Sequence, residues 1–211
     1  MGGSHQPTET IAIAETLKKA AAALREADVP FALAGSTAAW GHGGPPPLHD
    51  LDLAVAEADA ERGIEALAAA GMRTERPPEG WLLKAWDDEV LVDLIWELSG
   101  LPQPPELFER CEELSVMAVR MLVLPIDDVM VSRLLALDEH NLDLAGHLAI
   151  ARALREKIDW DEVRSRTAHS PYAHGFLALL EAVGVLESAQ GGPVVPDAGA
   201  RRPQVRVVPG G

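Results

Sequence analysis

The sequence predicts an α+β fold: a mixed β-sheet core flanked by helices, followed by a C-terminal helical subdomain. Three observations lead there. Short apolar runs alternate with helical stretches up to about residue 124, and only helical periodicity follows. The run Asp50-Leu51-Asp52-Leu53 reads as a strand with two unlike faces, because strand side chains alternate with period 2. The 211 residues, 47% of them apolar, suffice for one domain with a real core plus a small helical appendage. The expected organisation is a flexible lead-in at 1–8, a core at 9–124, a helical subdomain at 125–188 and a disordered tail at 189–211.

Each element has a local reason. An apolar stripe through Ile13, Leu17, Ala21 and Leu24 predicts a helix from about Glu9 to Ala27, with Thr8 as N-cap. Asp28-Val29-Pro30 ends it, since the residue before proline avoids the helical region. Phe31–Ala34 is a short apolar strand, Gly35-Ser36 a break, and Thr37–Gly41 the start of a short helix. Gly43-Gly44-Pro45-Pro46-Pro47 is a loop leading into a strand at Asp50–Ala56. A helix over Ala58–Ala70 stops at Gly71. Glu75–Gly80 is a Pro-containing connector. Trp81–Trp86 and Val90–Trp96 form a hairpin about Asp87-Asp88-Glu89. Leu107–Leu114 is a short amphipathic piece and Val116–Leu124 one strand-like run. Helices are then expected over Ile126–His140, Leu142–Arg155, Asp159–Ala168 and from Ser170-Pro171 to about Ser188.

Composition narrows the function classes. A net charge of −15 argues against a broad nucleic-acid footprint and fits a small neutral or cationic substrate. Cys111 is the only cysteine, so neither an internal disulfide nor a Cys-based metal site can form. There is no charged-then-apolar leader and no apolar run of membrane-spanning length, which predicts a cytoplasmic protein without membrane contact.

The chemistry concentrates in three carboxylates. Asp50 and Asp52 share one strand face, and like charges so close are costly without a cation between them. Asp93 interrupts the apolar run VLVDLIW, a local rule broken of the kind that gathers at functional sites. Such carboxylates suit Mg²⁺, which prefers oxygen ligands and is held by one or two carboxylates plus substrate phosphates. The turn before them suits the phosphates: Gly35 lets backbone approach, Ser36 offers a hydroxyl, and the next helix offers free N–H groups. The plain alternatives are a tight turn at Gly35-Ser36, a loop residue at Asp50 and a solvated strand-end charge at Asp93. His140, His147, His169 and His174 read as surface or partner-contact residues, His42 and His49 as loop decoration or as shaping a nucleotide or acceptor pocket, and Trp81, Trp86 and Trp96 as packing.

The pattern Gly35-Ser36, Asp50-Leu51-Asp52-Leu53 and a distal Asp93 resembles the polymerase-β-type nucleotidyltransferase superfamily. FALAGSTAAW and HDLDLAV look most like its small bacterial AbiEii/MenT-like branch. The resemblance spans about residues 10–165, and the helical segment VSRLLALDEHNLDLAGHLAIAR shares in it. It implies a nucleotidyltransferase-like core and transfer of a nucleoside monophosphate from an NTP such as ATP to an acceptor: a small molecule, tRNA or a protein. It implies Asp50 and Asp52 on two Mg²⁺ ions, Asp93 completing the metal shell and receiving the acceptor's proton, and Gly35 and Ser36 on the phosphates. Arg133 and Lys84 would offset charge building on pyrophosphate. The toxin members of that branch also imply a cognate antitoxin. The chain departs from the branch with Arg133 where Lys is usual and with Gly146 where an acidic residue is usual. A degenerate, non-catalytic nucleotide- or partner-binding protein is the alternative.

Overall fold

The structure is a computed structural model that describes residues 6–47 and 50–187. Residues 1–5, Leu48, His49 and the tail from residue 188 lie outside the described residues, and with them the disordered tail, the start of the flexible lead-in and the His49 loop position expected above; Gln6, Pro7 and Thr8 of that lead-in are helical. Seven strands form one sheet: β1 (Phe31–Leu33), β2 (Asp50–Val55), β3 (Arg73–Glu75), β4 (Leu82–Asp87), β5 (Val90–Ile95), β6 (Glu112–Val116) and β7 (Val119–Val123). Their order across the sheet is β3-β4-β5-β2-β1-β7-β6. The sheet is mixed: β2 is parallel to β5 and β1 to β7, while the other neighbours are antiparallel.

Helices α1 (Gln6–Glu26) and α3 (Glu57–Ala69) cover one face. There Leu17, Leu24, Leu51, Leu53, Ile64, Leu67 and Leu94 are all essentially inaccessible. Each such side chain stabilises the fold by roughly 1.5–3 kcal/mol relative to exposure. This one-sided burial aligns β2: its leucines go down into the core and its aspartates come up. Helix α2 (Gly35–Gly41) packs above β1 and β2 on that upper side and meets α5 (Ile126–Leu135). The chain also forms α4 (Glu106–Arg110), α6 (Leu144–Leu154), α7 (Trp160–Arg166) and α8 (Pro171–Ala182). Asp159 and Ser170 cap α7 and α8, accepting bonds from Asp161 and Glu162 N–H and from Ala173 N–H. No described helix is long and apolar enough to cross a membrane.

Several elements differ from expectation for local reasons. Helix α1 opens at Gln6, so Thr8 lies inside it instead of capping it. Arg73–Glu75 pairs with β4 as an edge strand although its residues are polar. The run expected as one strand over Val116–Leu124 is the second half of a hairpin that turns at Met117-Ala118. Both turn residues have positive φ, 49° and 64°, without the Gly or Asn that normally marks such a turn. Helix α5 stops at Leu135, five residues before His140, and α6 starts at Leu144 with Asp143 accepting the Gly146 N–H.

Helix α5 is anchored by a buried carboxylate. Asp128 accepts two bonds from Arg110, both 2.7 Å, and one of 2.6 Å from Arg166. Burial alone would raise its pKa, but these hydrogen bonds outweigh it and hold the carboxyl below the usual range. Asp128→Ala leaves two guanidinium groups facing a void and is expected to cost about 3–5 kcal/mol. Urea unfolding checks this; a loss below about 1 kcal/mol would show that Asp128 does not hold α5.

Candidate active site

The three carboxylates meet on the upper sheet face because of register. Asp52 on β2 is the parallel partner of Asp93 on β5, and Asp93 is the antiparallel partner of Lys84 on β4. Lys84, Asp93 and Asp52 thus form a row across three adjacent strands, and Asp50 lies on the same face one pleat earlier. Asp93 does not face away from the pair. Among the described residues, however, no group of three or more His, Cys, Asp or Glu side chains is gathered into a metal-holding cluster.

Gly35 explains how Asp52 is accommodated. Its φ is +50°, and a Cβ there would stand 1.9 Å from Asp52 Oδ2. Only a residue without a side chain lets the start of α2 lie against this carboxylate. The Ser36 N–H hydrogen-bonds to the carboxylate, and the Asp52 N–H donates to Thr37 Oγ1 at 3.1 Å. The fully buried Thr37 was not singled out in the sequence, although its place directly after Gly-Ser was a usable signal.

The electrostatics are those of a site short of positive charge. The Asp52 carboxyl is pushed up to about 7, first by burial and then by the charges of Asp50 and Asp93. Arg133 and the Ser36 N–H oppose the shift. Burial also raises the Asp93 carboxyl; the Lys84 charge and hydrogen bond pull it down, and Asp50 adds to the rise. Lys84 Nζ donates to Asp93 Oδ1 at 3.3 Å. By strand order it lies on the side of Asp93 away from Asp52.

Beside Asp50 opens a cavity of about 350 Å³ between α2, the triple-proline loop, α5 and α6. Ser36, Asp50, Arg133, Asp143 and Gly146 line it, with Pro45–Pro47 as one wall. Ser36 Oγ and Arg133 Nε are both buried there without a hydrogen-bond partner among the described residues. Two unsatisfied donors in one cavity match a ligand rich in acceptor oxygens. Arg133 stands 3.6 Å from Asp143. A Cβ on Gly146 would lie 2.4 Å from Asp143 Oδ2 and 3.4 Å from Arg133 Nη2. The two departures from the AbiEii/MenT-like pattern therefore touch: the broad guanidinium is seated over the missing side chain.

Other candidates fall outside this site. His147, expected at the surface, is buried between α5 and α6, where its ring meets the Arg133 and Asp143 carbonyls and the Phe176 ring edge. His42 bonds the Leu124 carbonyl at 2.7 Å and braces the loop. Cys111 contacts the Leu107 carbonyl, and burial pushes its thiol up to about 11, which leaves no thiolate at neutral pH. Trp86 carries the Arg73 guanidinium 4.0 Å above its ring and Trp96 is buried, whereas Trp81 is 38% exposed.

No family model and no curated protein matches the chain. Solved structures match it in fold. The crystal structure of ANT(2″)-Ia in complex with adenylyl-2″-tobramycin aligns with a TM-score of 0.57 at 13% identity, over 79% of this chain and 97% of that one. The solution structure of the antibiotic-resistance factor ANT(2″)-Ia aligns with a TM-score of 0.58 at 14% identity, over 84% and 98%. The chain shares the α+β fold of these two structures, a mixed sheet flanked by helices.

The raised Asp52 pKa has a signed consequence. The folded chain holds this proton more tightly than the unfolded chain does. The group's contribution to stability is therefore full below the ordinary aspartate value of 3.8 and is lost as pH rises through about 7. Thermal unfolding of the metal-free protein is expected to weaken across that window. Asp52→Asn, neutral throughout, is expected to flatten the profile and raise Tm near neutral pH by about 5 °C. An unchanged profile in the variant would show that Asp52 is not strained.

Proposed function

We propose that the protein is a Mg²⁺-dependent nucleotidyltransferase that moves a nucleoside monophosphate from an NTP to a hydroxyl of a small acceptor. The observation that carries this reading is the register of Asp52 with Asp93, with Asp50 on the same face at the mouth of the Ser36–Arg133 cavity. The fold shared with ANT(2″)-Ia supports it.

Asp50, Asp52 and Asp93 are the residues that would hold Mg²⁺, two ions in the superfamily pattern, which neutralises the triphosphate and the entering and leaving oxygens. The chain's own residues do the rest. Ser36 and the first N–H groups of α2 grip phosphate oxygens, with Gly35 keeping the backbone close. Arg133 exchanges Asp143 for the charge that builds on pyrophosphate. The acceptor oxygen bonds to the α-phosphorus, the bond from that phosphorus to the bridging oxygen breaks, and pyrophosphate leaves with the electron pair. The hydroxyl proton passes to Asp93, whose raised pKa makes it the better base and whose position Lys84 secures.

The reaction site lies in the cleft between the core, 9–124, and the helical subdomain, 125–188. Free NTP as donor agrees with the cytoplasmic location expected from the sequence. A small acceptor fits the −15 charge better than tRNA does, and ANT(2″)-Ia is itself described with an adenylylated aminoglycoside. The AbiEii/MenT-like branch would instead imply a tRNA or protein acceptor and an antitoxin partner.

Incubation with α-labelled NTPs, Mg²⁺ and either a panel of small hydroxylated amines or total tRNA tests this. The expected outcome is Mg²⁺-dependent label on a small molecule, reduced about 100-fold or more in Asp52→Asn. Label on tRNA alone would move the chain to the toxin-like branch. Nucleotide binding indifferent to Mg²⁺ and to Asp52→Asn, without transfer, would identify the degenerate binding protein instead. Gly35→Ala is expected to lower both transfer and stability; calorimetry and the same assay read the two losses.

A further inference from the structure

We propose that a second, larger cavity on the other side of the carboxylate row is the acceptor site, and that it takes an amphiphilic amino alcohol: an apolar body carrying one cationic amine and a hydroxyl. This rests on the nucleotidyl-transfer reading above. The cavity measures about 750 Å³, within the range of pockets that hold drug-sized ligands. Trp81, Ile95, Leu101 and Leu135 are among its apolar walls, and Glu97 and Asp138 are its acidic residues.

Its position follows from the register. Asp50 pairs with Leu91, Asp52 with Asp93 and Ala54 with Ile95, so Asp50 and Ile95 mark opposite corners of one patch of sheet. Asp50 lines the Ser36–Arg133 cavity and Ile95 lines the larger one. Asp52 and Asp93 lie between them on the same face. Ile95 is two residues beyond Asp93, about 7 Å along the strand. Helix α5 separates the two cavities above the sheet, with Arg133 facing one and Ser132 and Leu135 the other. A donor held in the first cavity and an acceptor in the second would therefore meet at the carboxylates from opposite sides, as in-line transfer requires.

The lining selects the class. Apolar walls reward burial of a hydrocarbon or aromatic body, and the exposed Trp81 ring offers a flat face for one. Glu97 has no hydrogen-bond or ion-pair partner among the described residues, and Asp138 is oriented by the His140 and Asn141 N–H groups at 2.7 and 2.8 Å. Two carboxylates beside these apolar walls attract a cationic head, and Ser99, Gln103, Ser132 and Asn141 offer partners to a hydroxyl. The two carboxylates do not repay the desolvation of a polycationic aminosugar or of a polyanionic RNA.

Titration calorimetry on the full chain, with propranolol as the amino-alcohol probe and Mg·ATP, tobramycin and tRNA as further titrants, tests the assignment. Ala136→Trp fills the cavity from an exposed lining position, and Glu97→Gln removes one charge while leaving the shape. The expected result is propranolol binding that weakens about tenfold or more in Ala136→Trp and severalfold in Glu97→Gln, with Mg·ATP affinity within about twofold of wild type. Weakened Mg·ATP binding with unchanged propranolol binding would make this the nucleotide's cavity and overturn the proposal. So would tobramycin or tRNA binding with that same dependence while propranolol fails to bind, or indifference of every titrant to both variants. Failure of the wild-type chain to bind Mg·ATP at all would overturn the nucleotidyl-transfer reading itself, whatever the amine does.

Discussion

The structure turns on a half-buried carboxylate with too little positive charge around it. Asp52 is driven upward out of β2 because Leu51 and Leu53 must go down into the core. Once there it faces Asp93 across the strand pair and Asp50 along the strand. The fold accommodates it with backbone, not cationic side chains: the start of α2 comes in over Gly35, a Ser36 N–H reaches the carboxylate, and Thr37 takes the Asp52 N–H. Each of these contacts is possible only because Gly35 lacks a side chain and adopts positive φ. What remains, burial and the like charges of Asp50 and Asp93, is what raises the Asp52 carboxyl above the usual carboxylate range.

The positive side of the site comes from the helical half and has its own support. Arg133 reaches Asp52 electrostatically from α5, while its guanidinium rests against Asp143 and over Gly146. Below it, His147 ties α6 to the Arg133 carbonyl, and near the start of the same helix the Arg110–Asp128–Arg166 cluster ties α5 to α4 and α7. The guanidinium is thus held beside the carboxylates by an anchored helix, with Asp143 as its ion-pair partner. Lys84 belongs to a different part of the arrangement: it is bound to Asp93 and so steadies that carboxylate.

Much of this was legible in the chain. Alternation marked β2 and β5, the charge in VLVDLIW marked Asp93, and Gly-Ser before the paired aspartates marked the helix that approaches them. Other features carried no local signal. The Met117-Ala118 turn lacks the residues that permit positive φ, so its hairpin read as one strand. His147 looked like one more polar residue on a helix and is held inside by two carbonyls and a ring. Polar Arg73–Glu75 is a strand only because β4 presents an open edge beside it.

The sequence by itself determined which groups are available and which side of each element they occupy: three aspartates, a glycine-serine break, and leucines that set the strand's direction of burial. Those are consequences of period-2 and period-3.6 geometry acting over a few residues. Only the tertiary structure decided that Asp52 stands opposite Asp93, that Lys84 takes Asp93 as its partner, that Arg133 and Gly146 accommodate each other, and that two cavities flank the carboxylate row. Strand register and helix packing are set by contacts between residues tens of positions apart, and no short window of sequence contains them.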